Sequence, residues 1–163
     1  MRDASATLGD LHRRNLRLRA DAPALVFEDR RISHRELIGE ACRLANSLMR
    51  LGVRRGDRVA ILAENCPQYM QAYAAGELAG WTTVTINYRL AAPEIDYILG
   101  DSRPRFIIVD ATYADRLDTN RIDGVQNVLT FGGSGPDLSY EEVLGTEEPT
   151  LPDADVRPGT SPT

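Results

Sequence analysis

Asp57–Asn87 reads DRVAILAENCPQYMQAYAAGELAGWTTVTIN, and its reading decides the fold. Arg58–Leu62 is a short apolar run. Asn65 and Cys66 lead into Pro67, a capping residue followed by a proline suited to a first helical turn, and Thr82–Ile86 is β-branched almost throughout. The order is strand, helix, strand, a βαβ unit. Neither strand alternates clearly between apolar and polar residues, as expected of parallel strands covered by helices on both faces. The intervening helix carries Ala72, Ala75, Gly76 and Ala79 on one side, a small-residue face that lets helix and sheet approach closely.

Working outward, the chain keeps the same rhythm. Upstream, Ala24–Phe27 and Arg31–Ile32 flank the polar turn Glu28-Asp29-Arg30 and predict a hairpin. Ser33-His34-Arg35-Glu36 fits a capping box, and Leu37, Ile38, Ala41, Leu44, Ala45, Leu48 and Leu51 hold helical spacing up to a stop at Gly52. Gly39 inside that helix costs about 1 kcal/mol relative to alanine, which points to a crowded contact. Thr7–Ala20, with Leu8, Leu11 and Leu18 among polar neighbours, suits an amphipathic surface helix. Downstream, Ala92-Pro93-Glu94 opens a helix ending at Gly100, Arg105–Val109 is a buried strand, and Asp115–Asn120 is weakly helical. Asn127–Phe131 is a further strand, and Ser139–Glu142 reads as a second capping box. Leu37, Leu44, Leu48, Ile61, Val84, Ile107 and Ile108 are expected to form one core. Residues 1–145 make one α/β domain, mostly a parallel doubly wound sheet with helices on both faces. Residues 146–163, holding Pro149, Pro152, Pro158 and Pro162, have linker composition.

Composition excludes more than any motif establishes. With 42% hydrophobic and 26% charged residues the chain is globular, and its longest uncharged stretch, Leu78–Tyr88, is too short and too polar to span a bilayer. Met1–Asp10 carries two aspartates and no apolar segment, so neither a secretory signal nor a transit peptide is read there, and a cytoplasmic protein is expected. The net charge of −5 combines a basic first third with an acidic remainder; the arginines are scattered over several elements, which argues against a nucleic-acid partner. No lysine occurs anywhere, which removes a Walker phosphate loop and Schiff-base chemistry. Cys42, Cys66, His12 and His34 lack the spacing of a zinc site, and no metal is expected.

Candidate chemistry is sparse. Gly132-Gly133-Ser134-Gly135 follows a strand and precedes a helix, the setting of a phosphate cradle, but it lacks the G-x-G-x-x-G spacing and Pro136 removes a donor. In a doubly wound sheet ligands gather beyond the carboxyl ends of the strands. Those ends are Glu64-Asn65, Asn87-Tyr88-Arg89, Asp110 and Phe131-Gly132, of which only Asn87, Tyr88 and Arg89 offer donors and an aromatic ring to an anionic or acyl ligand.

Together these residues resemble the N-terminal part of an adenylate-forming acyl-CoA synthetase, the superfamily that includes luciferases. The likeness runs from Leu8 to Asp110. Ile32-Ser33-His34-Arg35-Glu36-Leu37 stands where the family has Leu-Thr-Tyr-x-Glu-Leu; Gly52-Val53 with Gly56-Asp57-Arg58-Val59-Ala60 is similar to GVxxGDRVAI; Asn65-Cys66-Pro67-Gln68-Tyr69 matches Asn-x-Pro-Glu-Phe. Leu78-Ala79-Gly80 through Leu90, then Pro93-Glu94-Ile95 and Tyr97-Ile98-Leu99, resembles LxAGAVVVPLNPRLxxxEIxYIL. Trp81 departs by replacing a small residue and Thr85 by replacing a proline, both expected to alter packing at the strand end. The resemblance implies ATP-dependent conversion of a fatty or related carboxylic acid to an acyl-adenylate and then a coenzyme A thioester, with ATP, magnesium and coenzyme A as cofactors. The family's phosphate loop, magnesium motif, ribose-binding aspartate and catalytic lysine all lie beyond this sequence, and Val156-Arg157-Pro158-Gly159 resembles the linker that precedes the loop. No catalytic residue carries over. The chain is expected to bind none of these cofactors by itself, to need the downstream subdomain as a partner, and to self-associate as a homo-oligomer through the face left bare. The rival expectation is a stand-alone interaction module on the same fold; a third is an unrelated nucleotide-binding domain using Gly132–Gly135.

Overall fold

A computed structural model describes residues 6–118, 122–154 and 156. Five parallel strands form one sheet: β3 (Arg58–Ala63), β4 (Thr82–Asn87), β5 (Phe106–Asp110), β6 (Asn127–Phe131) and β7 (Leu138–Ser139), in the order β4-β3-β5-β6-β7. An antiparallel hairpin of β1 (Pro23–Phe27) and β2 (Arg30–Ser33) stands apart. The helices are α1 (Leu8–Arg19), α2 (His34–Arg50), α3 (Pro67–Ala79), α4 (Ala92–Ser102) and α5 (Tyr140–Gly145), with a 3-10 turn at Ala111–Arg116.

The strand parity separates two apolar layers. Val59, Ile61, Phe106, Ile108, Leu129 and Phe131 join α2 and α3 in one cluster; Ala60, Leu62, Ile86, Ile107, Val109 and Val128 join Ile95 and Leu99 of α4 in the other. The expected single core is therefore wrong: Leu44, Leu48, Ile61 and Ile108 lie on one face of the sheet, and Val84 and Ile107 on the opposite face. Adjacent residues of a strand point to opposite faces, so Ile107 and Ile108 cannot share a layer.

Helix α2 forms as its sequence predicts. Ser33 Oγ accepts from the Glu36 N–H at 3.2 Å, and Glu36 accepts from the Ser33 N–H at 2.7 Å, each such cap being worth about 1 kcal/mol. Gly52, at φ 105°, ends it in a conformation that β-carbon-bearing residues avoid. The small face of α3 also holds, since Ala72, Ala75, Gly76 and Ala79 are all buried. A β-carbon on Gly76 would lie 2.8 Å from Trp81 Nε1 and 2.8 Å from Thr83 Oγ1. The bulk of Trp81 is thus accommodated by the missing side chain of Gly76. Trp81 precedes β4 at its amino end, so only Thr85 lies toward the end where ligands gather.

Several local expectations fail for identifiable reasons. The N-cap of α3 is Cys66, which makes no side-chain cap, so Asn65 is not the capping residue. Helix α4 continues past Gly100 to Ser102, because Arg103 adopts the left-handed terminus itself at φ 46°. The weak helix placed at Asp115–Asn120 is instead the turn Ala111–Arg116, begun by Asp110 accepting from the Thr112 N–H at 2.8 Å; Asn120 lies outside the described residues. The box at Ser139 is only half made: Ser139 accepts from Glu142, whereas it is Glu141 that takes the Ser139 hydroxyl. Gly39 is not crowded, since an added β-carbon would meet Pro149 at an ordinary 3.6 Å. Leu8, Leu11 and Leu18 of α1 are exposed; the helix docks on α3 through Gly9 and through His12, which meets Glu77 at 2.5 Å. Of the linker Val156–Gly159, residues 157–159 lie outside the described residues, while Glu147 and Thr150 are held against α2 by Arg50 and Asn46.

Candidate functional site

Two groups of side chains gather at the carboxyl ends of the strands, one on each face of the sheet. On the α4 face, the three sequence candidates stand at the end of β4. The Asn87 side chain accepts from the Arg89 N–H at 3.0 Å, a local turn that commits its carbonyl to the backbone. Arg89 is exposed; its Nε donates to Tyr88 Oη at 3.1 Å and its guanidinium carbon lies 5.4 Å from the Tyr88 ring centre. Tyr88 packs on Tyr113 with centroids 5.5 Å apart. Arg116 lies over Tyr113 at 4.9 Å and donates to the Tyr88 carbonyl at 2.5 Å.

The Tyr113 hydroxyl donates to the Glu64 carboxylate. That hydrogen bond first, then burial and the charge of Glu64, push the phenol up to about 12. The structure therefore brings Asn87, Tyr88 and Arg89 together and braces them from the 3-10 turn. Glu64 was named in the sequence only as a strand end, and Tyr113 and Arg116 escaped that reading, although the position of Tyr113 three residues beyond the strand end at Asp110 was an available signal. Arg116 is engaged by the Tyr88 and Leu90 carbonyls and Glu64 by the Tyr113 hydroxyl, so Arg89 is the exposed cation of this group.

On the opposite face an open cleft of about 900 Å³ lies between the hairpin, the amino ends of α2 and α3, the ends of β5 and β6, and α5. Phe131 and Tyr140 stack edge to face at its floor, 5.9 Å between centroids, and Cys66 opens onto it. Its charged lining is Glu28, Glu36, Glu40, Asp110 and Glu141 against Arg30 and Arg43. Arg43 is already spent on Glu40 and on the Glu147 carbonyl. Carboxylates prevail, so the cleft repels a polyphosphate.

The glycine loop sits on its rim and does not form a phosphate cradle. The Gly132 N–H already donates to Glu141 at 3.3 Å. Gly135 is glycine because a β-carbon would fall 1.7 Å from Thr130 Oγ1, and Gly133 because it would fall 2.8 Å from the Ala111 side chain. Both glycines answer to packing. Among the described residues, no three His, Cys, Asp or Glu side chains converge as metal ligands. Nor is any described helix long and apolar enough to cross a membrane.

A sequence model of the family described as AMP-binding enzyme matches residues 12–160. The chain belongs to the AMP-binding enzyme family. Among similar proteins in this family are a feruloyl-CoA synthase from Amycolatopsis sp, 37% identical over 108 residues that make up 66% of this chain and 22% of that protein. The long-chain-fatty-acid–CoA ligase FadD13 of Mycobacterium tuberculosis is 37% identical over 93 residues, 57% of this chain and 18% of that protein. Among solved structures, the anthranilate CoA ligase AuaEII in complex with anthranoyl-AMP superposes with a TM-score of 0.87 at 28% identity, covering 96% of this chain and 31% of that one. The chain thus has the acyl-CoA synthetase fold and spans about a fifth of the length of these curated relatives.

Proposed function

We propose that this chain is the N-terminal scaffold of an ATP-dependent, cytoplasmic acyl-CoA synthetase, and that it is inactive by itself. The observation that carries the proposal is the mismatch between what adenylate chemistry needs and what the carboxyl ends of these strands offer. Attack of a carboxylate on the α-phosphorus builds negative charge that preorganised donors and cations must meet. Here the charged lining of the cleft is mainly carboxylate, the loop amide of Gly132 is taken by Glu141, and the sequence contains no lysine. The residues present do not fit ATP, magnesium or coenzyme A unaided. Those groups, and the downstream subdomain that would hold them, belong in this proposal to the remainder of the enzyme.

Within that assembly residues 1–145 form the scaffold and residues 146–163 the linker. Asn87, Tyr88 and Arg89 form the edge that faces the acyl or anionic group: Asn87 shapes the turn, and Arg89 and Tyr88 present the polar surface. The substrate is a fatty or related carboxylic acid, a class consistent with the ferulate, anthranilate and fatty-acid names of similar proteins.

A chimera tests the proposal. This chain replaces the matching residues of the Amycolatopsis feruloyl-CoA synthase, and acid-dependent pyrophosphate exchange is measured. Activity in the chimera, reduced when Arg89 is changed to Ala, supports the scaffold role. A folded chimera with no exchange against any acid of a broad panel favours the stand-alone module.

A further inference from the structure

We propose that this chain pairs with a second copy of itself along the outer edge of β4, antiparallel, with Thr85 facing the partner's Thr85. The sheet has two edges of different character. β7 is two residues long, too short to template another chain. β4 is six residues long and matches β3 without interruption from Thr82 to Asn87. It carries no charge, no proline and no bulge, the usual devices that keep edges from pairing, and it lies within the uncharged stretch Leu78–Tyr88.

The backbone fixes the geometry. The Thr82 N–H donates to the Asp57 carbonyl at 2.8 Å, toward β3. In a parallel ladder alternate residues direct both backbone groups to one neighbour, so Val84 and Ile86 also serve β3, and Thr83, Thr85 and Asn87 point theirs outward. A two-fold axis normal to the sheet keeps the two faces in register. Centred on Thr85, it sets Thr85 against the partner's Thr85 and Thr83 against the partner's Asn87, and every outward residue finds a hydrogen-bonding mate. Centred on Val84, it leaves Asn87 opposite the partner's Trp81, outside the strand. The Asn87 carbonyl already accepts from the Leu90 N–H at 3.1 Å and keeps a second lone pair for the partner.

The side chains agree with this register. Val84 meets the partner's Ile86 on the α4 face, extending the apolar layer that each copy already contains. On the other face threonine meets threonine, a favourable cross-strand pair, and Thr85 is exposed in the single chain. No like charges oppose one another across the seam. The inference concerns the chain as it stands and does not depend on its belonging to a ligase.

Light scattering after size exclusion, over a wide concentration range, reads the association, and cysteine cross-linking reads the register. In a Cys66→Ser background, Thr85→Cys places two thiols on a hydrogen-bonded pair with Cα atoms about 5.5 Å apart, within disulfide range. Thr83→Cys places them about 14 Å apart along the strand. The proposal expects a dimer, a disulfide at position 85 and none at 83. It also expects Thr85→Lys to weaken association by about tenfold or more while leaving the circular dichroism spectrum unchanged. A monomer at every concentration, a dimer indifferent to Thr85→Lys, or a cross-link at 83 and not at 85 overturns it. If Thr85→Lys does not fold, the cross-linking pair decides alone.

Discussion

Substituting Gly76 by alanine tests the packing of the βαβ unit, because two effects of known sign oppose each other there. An interior helical glycine gives up about 1 kcal/mol relative to alanine, so on propensity alone Gly76→Ala should stabilise. The new β-carbon, however, would sit 2.8 Å from Trp81 Nε1, 3.0 Å from Trp81 Cδ1 and 2.8 Å from Thr83 Oγ1, all closer than ordinary contact. The indole is only 6% exposed, so its retreat would displace buried neighbours. Moving Thr83 would also stretch its 3.4 Å contact to the Ala72 carbonyl. Overpacking a filled site costs about 1–3 kcal/mol, so we expect a net loss of about 1–2 kcal/mol. At 163 residues each kcal/mol moves the melting midpoint by about 2–4 °C. Gly100→Ala in α4 is the control, since nothing lies within 4 Å of its added carbon and only the propensity gain of about 1 kcal/mol remains. Differential scanning calorimetry reads both. A Gly76→Ala variant that melts at or above the parent, or a Gly100→Ala variant that melts below it, refutes the packing argument.

Three further predictions follow from the layers and the titrating groups. Ile61 and Ile108 face one another across β3 and β5 in the same apolar layer, so alanine substitutions there should each cost about 2–5 kcal/mol and couple by 0.5 kcal/mol or more, roughly. Ile107→Ala should cost as much yet add independently to Ile108→Ala in urea melts. Tyr113 titrates from an ordinary 10.0 up to about 12 because it donates to Glu64, and a raised folded value means stability that is present below pH 10.0 and lost toward pH 12. The stability gap between parent and Tyr113→Phe should accordingly be constant below pH 10.0 and shrink above it; a gap that widens in alkali contradicts the assignment. Burial holds the Cys42 thiol at about 11 and leaves it 1% exposed, whereas Cys66 opens onto the cleft, so a thiol reagent should label Cys66 first and Cys42 only on unfolding.

The parts of the fold that were legible in the sequence are those in which local chemistry and tertiary context agree. Ser33 and Glu36 cap α2 whatever packs on it, and Asn127–Phe131 is apolar enough to be a buried strand on its own account. Where the outcome differs, more than the local pattern decides it: α4 outlasts Gly100 because Arg103 adopts the left-handed turn and Arg58 holds the Ser102 and Arg103 carbonyls, and α1 turns its leucines outward because Gly9 and His12 fit against α3. Two cores were read as one because side-chain direction, and not hydrophobicity, distinguishes Ile107 from Ile108. At the candidate site, Asn87-Tyr88-Arg89 was visible as a cluster in sequence. Its bracing by Tyr113 and Arg116 joins residues more than twenty positions apart, and the carboxylate that occupies the Gly132 amide comes from the next helix nine residues on, so no local pattern connects them.

The central claim is that this member of the AMP-binding family supplies scaffold and no adenylation chemistry, and pyrophosphate exchange tests it most directly. The purified chain is incubated with magnesium, ATP, labelled pyrophosphate and a panel of fatty and aromatic acids. The account predicts no acid-dependent exchange with any of them. Exchange that depends on one acid and on magnesium, and that stays with the chain through repurification, would contradict it.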